Sequence, residues 1–178
     1  MAIEKIHHVA YRCNNAKETV EWYETNLGMN FVLAIAEDKV PSTKADDPYM
    51  HVFLDAGGGN ILAFFELPTQ PDMGRDENTP VWTQHLALQV KDRDELLNYK
   101  QRLQDRGISV LGPTDHSMFH SIYFFDPNGH RLELTYPDSK SDEIVARLDG
   151  VKWAMLNEWN ETKKAPKHAD WLHTKALN

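Results

Sequence analysis

Two stretches of the chain alternate apolar and polar side chains with the period of a half-buried strand, Ile6 to Cys13 (IHHVAYRC) and Thr83 to Val90 (TQHLALQV). In the first, Ile6, His8, Ala10 and Arg12 share one face and His7, Val9, Tyr11 and Cys13 the other. In the second, Thr83, His85, Ala87 and Gln89 share a face, while Leu86, Leu88 and Val90 turn toward a helix. His8 and His85 therefore stand at the same phase of the same pattern.

Seven residues beyond each His comes a helix start, Asn15 with Glu18 and Asp92 with Glu95, each an oxygen acceptor followed three residues later by Glu. The apolar stripes Val20, Tyr23, Leu27 and Leu96, Tyr99, Leu103 follow, and Gly28 and Gly107 suit left-handed helix ends. Strand-like runs come next: Asn30 to Ile35, Tyr49 to Asp55 and Ile61 to Leu67, then Ile108 to Leu111, Ser121 to Asp126 and Arg131 to Tyr136. Both halves read βαβββ. The pattern predicts an α+β fold of two βαβββ modules, 1–68 and 81–137, within one compact domain.

The last strand of each module carries a Glu between apolar neighbours, FFELP at Glu66 and RLELT at Glu133, so the repeat pairs Glu66 with Glu133 as it pairs the two His. The His-to-Glu interval is 58 in the first module (66 minus 8) and 48 in the second (133 minus 85). The ten extra residues are expected in a surface loop at Glu37 to Pro48. From 138 to 178 the pattern becomes helical, with Ile144, Val145, Leu148, Val151, Met155 and Trp159 on one stripe. This predicts an appended amphipathic helix covering the outer side of the sheet or a second subunit, with Trp171 and Leu172 anchoring the tail.

Composition narrows the chemistry. A formal charge of -8 argues against nucleic acid, which needs clustered Lys and Arg. The N-terminus has no apolar run of signal-peptide length, and Asn60 to Leu67 is too short to span a bilayer, so a cytoplasmic protein without membrane contact is expected. Cys13 is the one cysteine, which leaves imidazole and carboxylate as metal donors.

A lone strand His is more often a satisfied buried residue than a ligand. Matched offsets in two modules change that balance, and an inward Glu on an apolar strand is costly unless paired or metal-bound. His8, His85, Glu133 and Glu66 are thus candidate ligands of a divalent ion such as Fe(II), Mn(II), Ni(II) or Zn(II).

IHHVAYRC, TQHLALQV and YFFDPNGHRLEL together resemble the vicinal oxygen chelate superfamily, over about residues 3 to 137. The resemblance implies paired modules forming a cupped mixed sheet around one metal, with ligands at His8, Glu66, His85 and Glu133. Within it, Thr114 to Glu133 is similar to the extradiol dioxygenase signature, which implies an Fe(II) enzyme acting on a catechol-like substrate with His116 and Tyr123 in catalytic positions. Tyr123 and Glu133 are expected on neighbouring antiparallel strands, and His120 competes with His116 for the same role.

The ring-cleaving members carry an acid/base His where Ile61 to Leu67 offers only Glu66. As a fourth ligand, Glu66 would instead match a glyoxalase I-type lyase or epimerase working through an enediolate, and Arg12 fits that family's glutathione-contacting Arg. A drug-sequestering protein of this fold would lack the ligand set. Phe64, Phe119, Phe124 and Trp82 are candidates to line an apolar pocket, Phe64 first among them, and His51 and His130 read as exposed. A homodimer acting on a small molecule is expected, with the metal held within one chain or between two.

Overall fold

The computed structural model describes residues 3–173. The first module runs β1 (Val9–Cys13), α1 (Ala16–Leu27), β2 (Asn30–Lys39), β3 (Asp46–Asp55) and β4 (Ile61–Glu66). The second runs β5 (Leu86–Gln89), α2 (Arg93–Asp105), β6 (Leu111–Asp115), β7 (Phe119–Phe125) and β8 (Arg131–Pro137). Each module is a four-stranded mixed sheet, ordered β1-β4-β3-β2 and β5-β8-β7-β6, in which the first strand pairs parallel with the last. The predicted α+β architecture of two βαβββ modules is the one observed.

Both helices begin on the expected caps. The Asn15 side chain accepts from the backbone N–H of Glu18 at 2.9 Å and that of Asp92 from Glu95 at 3.0 Å, each satisfying one of the orphan donors of a helix start. Gly28 ends α1 at φ 69, a left-handed turn that favours glycine.

Each helix packs on one face of its sheet. Tyr23, Leu62 and Phe64 from the first module and Leu96, Leu103, Ile122, Phe124, Leu132 and Leu134 from the second join one buried apolar cluster. Hydrogen bonds tie the modules together: Tyr23 Oη donates to Asp126 Oδ2 at 3.1 Å, and Arg106 Nη1 donates to the carbonyl of Thr25 at 2.7 Å. The opposite face of each sheet carries no helix, and His8 and His85 belong to that side.

Two sequence expectations change. Half of the stretch from Glu37 to Pro48 is strand: β2 and β3 are both ten residues long, and only 40–45 forms the turn, closed by Val40 N–H to the Ala45 carbonyl at 3.0 Å. Charged side chains are tolerated there because β2 is an edge strand exposed along its whole length.

The C-terminal extension is not one helix but α3 (Ser141–Asp149) and α4 (Lys152–Thr162), broken at Gly150, followed by a last turn at Asp170–His173. Neither α3 nor α4 buries a residue, so its apolar side chains do not cover the outer face of the sheet in this chain. Trp171 is held under the Arg147 guanidinium at 3.7 Å; the side chain of Leu172 lies outside the described residues.

Candidate metal centre

The helix-free face of the second module gathers its titratable groups on β5, β7 and β8. His85 immediately precedes β5, and its Nε2 stands 3.0 Å from Glu133 Oε2. Glu133 is only 3% exposed, and a buried carboxylate persists only with partners. Its second oxygen accepts from Ser121 Oγ, which also lies 3.2 Å from Thr135 Oγ1. Tyr123 faces Glu133 directly across the β7–β8 ladder, as the ten-residue spacing predicted.

The Tyr123 hydroxyl lies 2.8 Å from His116 Nε2, and its ring lies under the Arg131 guanidinium at 4.2 Å and edge-on to His85 at 6.1 Å. Burial pushes the phenol above its ordinary pKa, and the negative charge of Glu133 adds to the push, so Tyr123 keeps its proton at neutral pH. β6 pairs with β7 through a register shift between Leu111 and Thr114, ahead of the loop bearing His116. Gly112 makes this close approach possible, since a Cβ there would sit 2.5 Å from the Ser121 carbonyl at a φ of +102.

The first module repeats this layout with different chemistry. His8 stands 5.8 Å from Phe53, the counterpart of the His85–Tyr123 contact. Leu62 pairs with Val9 as Leu132 pairs with Leu86, which makes Ala63, not Glu66, the counterpart of Glu133. The expected pairing of Glu66 with Glu133 is therefore corrected. Three residues on from Ala63, Glu66 lies on the opposite face of β4. There Glu66 Oε2 accepts from the Ala16 N–H at 2.6 Å, capping the positive end of α1. The first module's extra length is accordingly seven residues, since 63 minus 8 is 55 against 48. Substituting Glu66→Gln is expected to cost under about 1 kcal/mol in urea unfolding, through the weakened helix-end interaction, and to leave metal content unchanged. Loss of metal in that variant would restore Glu66 as a ligand.

Among the described residues, no three His, Cys, Asp or Glu side chains converge on one point. The candidate ligands stand as His85 with Glu133 in one module and as His8, beside His51 and Phe53, in the other. The His85–Glu133 pair fits a metal in kind: an imidazole nitrogen and a carboxylate oxygen, donors that each bind a divalent ion at about 2.1 Å, stand side by side. An imidazole with a carboxylate is the donor set that Fe(II), Mn(II), Ni(II) and Zn(II) share. A cavity of about 570 Å³ opens beside His85, lined by Tyr11, Arg75, Asp76, Gln84, Phe125 and Arg131, large enough for a small molecule.

Other assignments change with the strand faces. His120 lies on the helix side of β7, stacked on Tyr136 and 3.2 Å from Asp138 Oδ2, so of the two competing His only His116 reaches Tyr123. Phe64 and Phe124 are buried in the core, and Trp82 is 68% exposed. Among the pocket candidates, Phe119 stays near the site, 4.9 Å from His116.

His130 is not exposed but bonds the Arg12 carbonyl at 2.7 Å. His51 is buried on the same face as His8, between Phe53 and Phe65. Burial lowers the His51 pKa, and nearby His8 adds to the effect. Ser121 and His51 were missed, although the alternation of β7 and β3 puts them in phase with Tyr123 and Phe53.

Two βαβββ modules, the second with a His–Glu pair on its helix-free face, define an α+β two-module fold. The chain belongs to the Glyoxalase/Bleomycin resistance protein/Dioxygenase superfamily, matched over residues 5–134; most members of this superfamily are metal-dependent enzymes. It is 26% identical to the metallothiol transferase FosB of Staphylococcus saprophyticus over 164 residues, covering 91% of this chain and 95% of that one. It is also 26% identical to biphenyl-2,3-diol 1,2-dioxygenase 3 of Rhodococcus globerulus over 132 residues, 73% of this chain and 62% of the dioxygenase. The chain thus spans less than two thirds of that relative, and only 27% of the Bacillus subtilis protein MhqA, to which it is 29% identical over 84 residues. The Mn(II)-complexed fosfomycin resistance protein FosX of Listeria monocytogenes shares the fold, with a TM-score of 0.57 at 15% identity over 80% of this chain and 99% of that one.

Proposed function

We propose that the protein is a metal-dependent enzyme whose three ligands are His85 and Glu133 of one subunit and His8 of a second, and that it opens the ring of a catechol-like aromatic in an extradiol manner. The observation that carries this reading is the His116–Tyr123 pair at 2.8 Å, set directly beside the His85–Glu133 pair. Fe(II) held there would supply the redox chemistry and bind the vicinal oxygens of the substrate. Glu133 is oriented by Ser121, which is how a hydrogen-bonded neighbour fixes the direction of a ligating carboxylate. Tyr123 holds a proton at its hydroxyl and can donate it to a substrate oxygen as negative charge develops there, with His116 Nε2 at 2.8 Å placed to resupply it.

Oxygen uptake and formation of a yellow product, measured on anaerobically Fe(II)-loaded protein with a panel of catechols, test the reading. Turnover of none of them, together with proton exchange on hemithioacetals, would replace ring cleavage by the lyase. Tyr123→Phe is expected to lower kcat by about 10²-fold or more while metal content stays at the wild-type level, because the hydroxyl moves a proton without ligating. Unchanged kcat in that variant would remove Tyr123 from the chemistry.

The lyase reading needs a fourth ligand, a second carboxylate, and Ala63 in the matching position with Glu66 turned to α1 weighs against it. A second reading, metal-dependent thiol transfer, is favoured by the match to 95% of a metallothiol transferase; metal-dependent consumption of a thiol would identify it. We also propose a cytoplasmic homodimer, supported by the exposed apolar side chains Phe31, Val32, Leu33 and Ile35 on β2 and Trp153 and Trp159 on α4. Sedimentation as a monomer at micromolar concentration would count against it. No helix among the described residues is long and apolar enough to cross a membrane.

A further inference from the structure

The cavity beside His85 has a charge balance that runs against the rest of the chain. The protein carries 27 Asp and Glu against 19 Lys and Arg, yet this cavity is lined by Arg75 and Arg131 and by a single acid, Asp76. The Asp76 carboxylate is engaged by its own turn, where it accepts from the Asn78 N–H at 2.9 Å and from Thr79 Oγ1. Among the described residues, the ion pairs are made by Lys and His, so no carboxylate neutralises Arg75 or Arg131.

The register of the second module places Arg131. Leu132 pairs parallel with Leu86, so Arg131, one residue earlier, stands level with His85. Two residues before Glu133, it shares the helix-free face with that carboxylate. Glu133 does not neutralise it, since its oxygens meet Ser121 Oγ and His85 Nε2. Across the antiparallel ladder Arg131 pairs with Phe125, which is 43% exposed and lines the same cavity.

The Arg131 guanidinium is held 4.2 Å from the centre of the Tyr123 ring. An aromatic face fixes a guanidinium without using its N–H donors, so the fork is oriented and its hydrogen bonds stay available. Arg75 adds a second cation from the segment that joins the modules, where its side chain is exposed. A planar fork with uncommitted donors and a second positive charge, beside an exposed aromatic ring, match a carboxylate carried on an apolar body.

We propose that Arg131 and Arg75 form an anion subsite of this cavity and hold a carboxylate of the substrate, with Phe125 against its apolar part. The substrate is then an acidic small molecule rather than a neutral one. This deepens the reading above and rests on the cavity beside His85 being the substrate side.

The test uses the full chain and two matched pairs of probes, benzoate with benzamide and 3,4-dihydroxybenzoate with 3,4-dihydroxybenzamide. The first pair has no vicinal oxygens, so its binding reads the subsite without the metal. By titration calorimetry, the acid of each pair is expected to bind at least about tenfold more tightly than the amide, and that preference should shrink at about 0.5 M salt. Arg131→Gln and Arg75→Gln should each reduce it to under about threefold, with amide affinity within about twofold of wild type. Arg75 is exposed, so its substitution leaves the fold intact. Tyr123→Phe keeps the ring beside Arg131 and should keep the preference for the acid.

Equal affinities for acid and amide, no binding of either acid, or a preference that survives both arginine substitutions would overturn the assignment. Loss of the preference in Tyr123→Phe would do the same, by moving the contact to the phenol. A preference for the acids without oxygen uptake on the Fe(II)-loaded protein would retain the subsite and discard ring cleavage. Equal oxygen uptake on dihydroxy acid and amide would do the reverse.

Discussion

Replacing Glu133 with alanine is expected to empty the metal centre, lowering divalent-metal affinity by more than about 10²-fold and activity by at least about 10³-fold. Hydrogen-bonded neighbours of a ligand alone typically account for 10- to 100-fold in affinity, and Glu133 is placed as a ligand itself. The carboxylate is buried, oriented by Ser121 and 3.0 Å from His85 Nε2, so no nearby water-exposed group can take its place at that position.

Metal analysis of protein purified without chelator reads the result directly. Retention of a full equivalent of metal by Glu133→Ala would reject the proposed centre. Iron in the wild-type protein would support oxygen chemistry, whereas nickel or zinc would support isomerisation.

The second large effect is structural. Phe64→Ala is expected to destabilise the protein by about 3–5 kcal/mol, because Phe64 is fully buried against Tyr23 at 5.1 Å and its loss leaves a cavity that a packed helix-sheet interface cannot fill. For a chain of this size that corresponds to a Tm lower by about 6–20 °C. Its neighbour Phe65 is half-buried on the other face, and Phe65→Ala should cost clearly less stability. Paired urea denaturation curves check the contrast. Similar stability losses for the two variants would mean that the assigned faces of β4 are wrong.

These expectations depend on which face a side chain takes, and that property was only partly legible. The alternation in β1 and β5 put His8 and His85 on the helix-free side correctly, because apolar neighbours at every second position must go to the core whatever the fold. The cap pairs Asn15 with Glu18 and Asp92 with Glu95 were legible for a similarly local reason: the donor and acceptor are three residues apart. The Tyr123–Glu133 neighbourhood followed from a short hairpin, where chain length alone limits the register.

Glu66 shows where local reading stops. FFELP and RLELT look like the same phrase, yet β4 has apolar residues at five successive positions and so carries no alternation to mark its faces. Its register is set by pairing with β1 and β3 and by the turn at 56–60, and the displacement of three residues from Ala63 reverses the side chain. The same kind of long-range contact separated His116 from His120, buried His51 between Phe53 and Phe65, and left β2 and α4 exposed.

The sequence by itself therefore determined two capped βαβββ modules and the equivalent placement of their histidines, since periodicity and capping act within a few residues. Only the tertiary structure decided that Glu133 has its counterpart in Ala63 and that Glu66 serves α1. Strand register and cross-strand neighbours are properties of residues far apart in the chain, fixed by the packing of a whole module.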